Sequence, residues 1–357
     1  MVRARSIELS QIGRGIVRAK GSKGERASGA GPSNGARAAT RAAARRYLYY
    51  PDGQVGWYPA AVLAGLRLLR HERFDVVYSS SHPLTAHLIA RTLSRRGKLP
   101  WVAEFRDPWS DRLPADHPHR RRTMRLEAAI GREATQVIVP TPTLAEMWGE
   151  RWGREIALVP NGHDLDGPVR QRPERATLTH VGTYYPGKQS FRALWGALQE
   201  LARSGEAELP RVRFVGELPE EIRQEVGAAG LATVVEATGF IPHADAMRSM
   251  ASSTVLFASG FAGSDPLSLG VIPAKLFEYL ATGLPILYLG NPEDDAAKLL
   301  REQPGCFVLE PDDVAGVVAA LRVALAAGEY ERDVASLSRR ARTASLAKVL
   351  DAAAGRT

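Results

Sequence analysis

Short runs of β-branched and aromatic residues alternate with amphipathic helical segments from Tyr47 to Ala327, and this alternation most limits the fold. Such a rhythm predicts a parallel sheet covered on both faces. A first series predicts strands at Phe74–Ser79, Trp101–Phe105, Gln136–Val139 and Ile156–Val159. Helices are expected between them at Ala60–Leu69, Leu84–Leu93, Met124–Glu133 and Leu144–Arg151. A second series predicts strands at Thr177–Val181, Val212–Val215, Thr233–Ala237, Val255–Ala258, Ile286–Leu289 and Cys306–Leu309. The expected fold class is therefore α/β, as two doubly wound halves joined near residue 165. Domain boundaries fall at 47–165 and 166–357, and Tyr330–Ala354 is expected to close the chain as one or two helices.

At 357 residues the chain is long enough for two cores. A single cysteine, Cys306, excludes a disulfide framework and suits a reducing compartment, so a cytoplasmic location is expected. No apolar run is long enough to span a membrane, and MVRARSIELS lacks the apolar stretch of a secretory signal. The net charge of +8 is concentrated in residues 1–46, where eleven basic residues face only two acids. The rest of the chain is near neutral, which removes support for a nucleic-acid-binding surface built into the fold. Residues 19–46 are rich in Gly, Ala, Ser and Arg and read as a solvated, disordered segment. The competing reading of that basic segment is peripheral contact with an anionic membrane.

GVIPAKLFEYLATGLPILYL, residues 270–289, reads as loop, short helix, tight stop and buried strand. Pro273 fits the first helical position and Gly283 the left-handed residue just past the helix end. Leu276, Phe277 and Leu280 share the inner face. Lys275 is the unexpected residue, since a cation in the first turn is disfavoured by roughly 0.3–1 kcal/mol. A bound phosphate would reverse that sign. Glu278 shares its face and has the chemistry to accept ribose hydroxyls. The competing reading is a Lys–Glu surface pair.

In such sheets ligands sit at the carboxyl ends of the strands. Four loops there are polar or glycine-rich: Ser80-Ser81-His82, Arg106-Asp107-Pro108-Trp109, Asn161-Gly162-His163-Asp164 and Gly182–Lys188. The last, GTYYPGK, approaches a phosphate-loop pattern, but Gln189 occupies the place of the magnesium-binding hydroxyl. What remains is Lys188 on a glycine-containing turn, able to meet a phosphate or stand as an exposed turn lysine. The alternatives for the other loops are an Arg106–Asp107 ion pair and an Asn161-Gly162 tight turn. His82, His163, His180 and His243 have no ligand partners at metal spacing, so no metal is expected.

The segments PDGQVGW (51–57), FDVVYSSSHPLTAHLIA (74–90), PWVAEFRDPW (100–109), VPNGHD (159–164), HVGTYYPGK (180–188), TGFIPHADAMRSM (238–250) and GVIPAKLFEYLATGLPIL (270–287) follow one another in an order that resembles the retaining, GT-B-fold glycosyltransferases of family 4, in their bacterial cell-envelope branch. The resemblance implies two Rossmann-like domains facing a cleft, with a UDP- or GDP-linked sugar as co-substrate and no cofactor or obligatory metal. By position, Lys275 and Lys188 look like ligands of the donor diphosphate and Glu278 like the carboxylate that binds ribose. Gly182, Pro273, Asn161 and Gly162 complete the implied donor site. Arg106, Asp107 and His82 would face the sugar or the acceptor, a glycan or lipid-linked molecule of the cell envelope.

Two departures qualify that implication. Such enzymes often carry two glutamates separated by seven residues, whereas here Gly270 stands in the first position, with Asp265 or Ser268 as substitutes. The chain also begins late against the family pattern: residues 1–9 would be the third strand and 19–46 a variable loop, leaving the amino-terminal domain incomplete. The alternative to a transferase is therefore a degenerate GT-B paralogue that binds nucleotide or a partner without turnover. A nucleotide-sugar epimerase of the same fold is a third reading.

Overall fold

A computed structural model describes residues 50–165, 173–205 and 208–356. The basic segment at 1–46, and the strand and loop expected within it, lie outside the described residues. The chain divides into two units. The first comprises the described residues up to Val139, Trp148–Ala157 and residues from Ala347 onward. The second comprises Pro140–Met147 and Leu158–Leu346.

In the first unit, β1 (Val77–Ser81), β2 (Trp101–Phe105), β3 (Gln136–Val139) and β4 (Ala157–Leu158) form a sheet in that order. β1 pairs with β2 and β2 with β3 in parallel. The helices are α1 (Tyr58–His71), α2 (Thr85–Gly97), α3 (Arg120–Glu133) and the last turn of α4 (Pro142–Trp152), whose earlier residues belong to the second unit. β2 lies in the middle, and Trp101, Val102, Ala103 and Phe105 are fully buried, as a strand covered on both faces should be. Phe105 packs edge-on against Trp148 at 4.9 Å, and Trp148 stacks on Trp152 at 4.9 Å. The expected strand at Phe74–Ser79 starts later and runs further, because Ser79 and Ser81 are buried in the sheet. Ser79 Oγ lies between the indole N–H of Trp101 and His87 Nδ1, each 2.8 Å away, which satisfies a buried hydroxyl.

The second unit holds six parallel strands in the order β10-β9-β8-β5-β6-β7. Their spans are β5 (Thr177–Val181), β6 (Arg211–Val215), β7 (Val235–Ala237), β8 (Val255–Ser259), β9 (Ile286–Leu289) and β10 (Cys306–Leu309). The chain leaves β5 toward β6 and β7, then returns to its other side for β8. β5 and β8 therefore flank a topological switch point, where such sheets open a crevice at their carboxyl ends.

Two apolar cores cover the two faces. One is made with α5 (Arg192–Arg203), α6 (Glu220–Ala228) and α11 (Val314–Ala326), and contains Phe191, Phe214 and Phe257. The other is made with α7 (His243–Ala251), α9 (Lys275–Thr282) and α10 (Asp295–Arg301), and contains Leu276, Phe277, Tyr279 and Leu280. A four-residue helix, α8 (Pro266–Leu269), precedes α9, and α12 (Arg339–Ala353) ends the chain. Residues 330–338 are not α-helical, so only part of the expected terminal helix forms.

The stretch 270–289 folds largely as its pattern requires. Gly283 caps α9 with φ of 71°, and all four residues of β9 are buried. Pro273 is the correction. α9 begins at Lys275 with Ala274 as its cap, so Pro273 sits outside the first helical position and its carbonyl accepts the Leu276 N–H at 3.0 Å.

Candidate functional site

The switch-point geometry places the first residue of α9 beside the end of β5. Lys275 Nζ lies 3.0 Å from His180 Nε2. His180 is fully buried, its ring surrounded by Phe191, Phe214 and Phe257 at centroid distances of 5.3, 5.5 and 5.5 Å. Its Nδ1 is 3.1 Å from the Phe257 carbonyl. A carbonyl only accepts, so this contact assigns the proton to Nδ1 and leaves the Nε2 lone pair for the lysine, with the Thr183 carbonyl also in hydrogen-bonding reach of the ring. Burial, and secondarily the neighbouring Lys275 charge, hold His180 well below its ordinary pKa and keep it neutral.

Lys275 is a cation without a carboxylate partner among the described residues, and burial lowers its pKa to about 7. The sequence alternative of a Lys275–Glu278 surface pair is not formed. Glu278 is half-buried, and burial first of all raises its pKa. His243 and Arg339 oppose that shift, while Asp164 adds to it. The loop Asn161–Asp164 therefore lies within electrostatic reach of Glu278, as does the start of α7.

That loop is not a tight turn. His163 N–H donates to the Leu337 carbonyl at 3.1 Å, and Arg339 N–H donates to the His163 carbonyl at 2.8 Å. The result is a parallel bridge between His163 and Ser338. Gly162 permits the close approach: a Cβ there would meet the Leu337 carbonyl oxygen at 2.6 Å. Arg339 also pairs with Asp164 at 2.6 Å.

Gly182 follows β5 with φ of 99°, a conformation that favours glycine. Beyond it Lys188 is exposed, with Nζ 5.7 Å from the Phe261 ring centroid. The loop is fixed by Gln189, the residue that breaks the phosphate-loop pattern. Its Nε2 donates to the Ser259 carbonyl at 2.6 Å and its Oε1 accepts the Tyr185 N–H at 3.0 Å. Gln189 therefore ties the loop after β5 to the end of β8. The proposed substitutes for the missing glutamate bond to each other: Asp265 caps α8 and accepts the Ser268 hydroxyl at 2.7 Å.

In the first unit His82 is exposed and lines a cavity of about 500 Å³ with Asp52, Gln54, Leu84 and Trp109. Asp52 accepts both the N–H and the hydroxyl of Thr85 at 2.8 Å, which fixes the start of α2. Asp107 pairs with Arg112 at 2.8 Å. Sequence patterning missed Glu127, which is buried on α3 and accepts the backbone N–H groups of Trp109 and Ser110 at 3.3 and 3.4 Å, together with the Ser110 hydroxyl. It also missed His180 and Tyr279 as parts of the Lys275 site.

Residues 24–166 match the Glycosyltransferase Family 4 model. No curated protein matches the chain. Among solved structures, the chain is similar to sucrose-phosphate synthase from Thermosynechococcus elongatus, at 17% identity and a TM-score of 0.55, over 84% of this chain and 76% of that one. It is similar to HepE of Anabaena in complex with UDP, at 16% identity and a TM-score of 0.58, over 82% of each chain. It is also similar to the lipopolysaccharide outer core galactosyltransferase WaaB, at 13% identity and a TM-score of 0.55, over 83% of this chain and 80% of that one. These likenesses establish the fold class as GT-B. Among the described residues no helix is long and apolar enough to cross a membrane. The family match over residues 24–166 and the fold shared with known glycosyltransferases together support a transferase enzyme of family-4-like type.

Proposed function

We propose that this chain is a retaining glycosyltransferase that moves a sugar from a UDP- or GDP-linked donor to a cell-envelope polysaccharide or lipid-linked acceptor, at the cytoplasmic side of the membrane. The observation that carries the reading is Lys275, a desolvated cation at the start of α9 beside the β5/β8 switch point, bonded to a neutral imidazole instead of a carboxylate. A buried charge without a counter-charge is expensive unless a ligand supplies one. A diphosphate has the required chemistry, and the UDP complex of a protein of similar fold supports a nucleotide donor.

In this reading Lys275 and the α9 N–H groups stabilise the negative charge that develops on the departing diphosphate, with Lys188 as a second cation from the β5–α5 loop. Glu278 accepts hydrogen bonds from the ribose hydroxyls. The acceptor attacks from the leaving-group face, so the anomeric configuration is kept, and the departing phosphate takes the acceptor proton. His82, Arg106 and Asp107 contact the sugar or acceptor. The cations of the protein take the role that a divalent metal has in other transferases.

A second reading, nucleotide binding without turnover, is favoured by Gly270, whose N–H and carbonyl are bonded to Pro266 and Thr141 and which offers no side chain to a sugar hydroxyl. The separating experiment incubates the protein with UDP- and GDP-sugars, with and without envelope glycolipids, and follows nucleotide release and anomeric configuration by NMR. Acceptor-dependent release with retained configuration is expected. Nucleotide binding without release would favour the second reading, and inverted product or epimer formation would exclude the first.

A further inference from the structure

His180 has both ring nitrogens committed, one to a backbone carbonyl and one to Lys275 Nζ. Three phenylalanines enclose the ring, so it has no room to swing away from the lysine. The lysine sits at the other end of this contact, on α9, whose own position is fixed by Tyr279: its phenolic oxygen accepts the Val181 N–H at 2.7 Å. The residues flanking Lys275 on its inner face are apolar, and the titratable group facing it from β5 is the neutral His180. β8 contributes the Phe257 carbonyl, the loop after β5 contributes the Thr183 carbonyl beside the His180 ring, and α9 contributes the un-ionised Tyr279 hydroxyl.

We propose that His180 is the positioning residue of the anion site: its unprotonated Nε2 orients the Lys275 ammonium and makes binding of a nucleotide diphosphate proton-coupled. The inference rests on the donor-site reading given above. The imidazole supplies a hydrogen-bond acceptor but no charge. The lysine is thus held in place while its positive charge remains uncompensated and available to an anion. A carboxylate at the same place would neutralise the lysine and compete with the phosphate. A purely apolar residue would leave the ammonium with nothing to bond.

Proton coupling follows from the same arrangement. Without ligand, Lys275 shares its protonated and neutral forms near neutral pH, because burial lowers its pKa to about 7. An arriving diphosphate favours the charged form, so binding above that pH takes up a proton. Affinity then falls as pH rises past the free-site value, approaching tenfold per pH unit for one coupled proton. Removing the Nε2 acceptor removes a bond to the charged form and moves the midpoint toward acid.

The test uses UDP-glucose and GDP-mannose, whose phosphodiester linkages do not titrate in this range. Binding to the whole chain is measured by isothermal titration from pH 6 to 9, in buffers of different ionisation enthalpy. The wild type should bind one of the two, take up about one proton per site at alkaline pH and lose affinity with a midpoint near neutrality. His180→Phe should shift that midpoint to lower pH and weaken binding at pH 7 severalfold. His180→Gln, whose amide oxygen can replace Nε2 as the acceptor, should restore the wild-type midpoint. An unmoved midpoint in His180→Phe, or binding without proton uptake in the wild type, would overturn the role of His180. No binding of either sugar nucleotide to folded wild type would instead sink the donor-site reading on which the inference rests. Loss of folding in His180→Phe, monitored by circular dichroism, leaves the wild-type proton uptake and the His180→Gln profile to decide.

Discussion

The phenolic oxygen of Tyr279 accepts the Val181 N–H at 2.7 Å and lies 3.5 Å from the Phe257 carbonyl, so one fully buried hydroxyl joins α9 to the end of β5 and the middle of β8 at the switch point. The helix that carries Lys275 and Glu278 is thereby registered against the sheet.

Tyr279→Phe keeps the ring and removes that link, leaving a buried N–H unpaired. A loss of about 1–3 kcal/mol is expected. Urea denaturation should show a lower midpoint with an unchanged slope. A midpoint equal to the wild type would mean that the hydroxyl does not hold the helix.

Lys275→Met tests whether the buried cation serves function and not stability. The substitution removes an uncompensated charge while roughly keeping volume, so thermal stability without ligand should be unchanged or higher. The stabilisation by nucleotide should disappear. A marked loss of stability in the free protein would show that the ammonium is a structural group.

Gly162→Ala should destabilise the second unit by about 1–3 kcal/mol, because the new methyl would overlap the 337–339 backbone and no flexible side chain can yield. Thermal denaturation measures it. A neutral result would contradict the close approach that defines this loop.

Asp294 caps α10 and accepts the Tyr288 hydroxyl at 2.8 Å, yet burial raises its pKa from 3.8 to about 6. The folded state therefore binds this proton more tightly than the unfolded chain. The stabilisation of the protonated form is present below about pH 4 and is lost as pH rises toward 6. Relative to Asp294→Asn, the wild type should lose about 2–3 kcal/mol across that interval. Parallel urea titrations at pH 4 and 6.5 check the sign; a gain with rising pH would refute it.

If protein cations neutralise the leaving diphosphate, turnover should survive complete removal of divalent ions. Activity in excess EDTA should stay within about twofold of that in magnesium. Restoration of a lost activity by magnesium would contradict the proposed role of Lys275 and Lys188.

Most of this architecture was legible because periodicity reports burial directly. β2, β3, β5 and β10 fall at their expected residues, and Gly283 stops α9 as a left-handed cap must. Edges were harder to read. Ser80 and Ser81, expected in a turn, continue β1, and the Ser81 hydroxyl donates to the Glu104 carbonyl at 3.4 Å. Only part of the expected Ile156–Val159 strand forms, as β4. Pro273 lies two residues before the first helical position, and its carbonyl, not its ring, opens the helix. At the site, Lys275 announced itself as a cation in an unfavourable turn, and Glu278 by its spacing. His180 did not, because its significance lies in a contact across 95 residues that no local pattern encodes. Gln189 breaks the phosphate-loop pattern, and the fold uses it to tie the loop after β5 to the end of β8.

The central claim is that the α9 start is a nucleotide-diphosphate site. The most direct measurement is thermal stability of the whole chain with UDP, GDP and ADP in parallel, for the wild type, Lys275→Ala and Glu278→Ala. A ligand at 100 times its dissociation constant stabilises by about 2.7 kcal/mol, enough to raise the midpoint by a few degrees. The account predicts such a rise with UDP or GDP in the wild type and a smaller one in both variants. A folded wild type unmoved by all three, or a rise equal in all proteins, would contradict it.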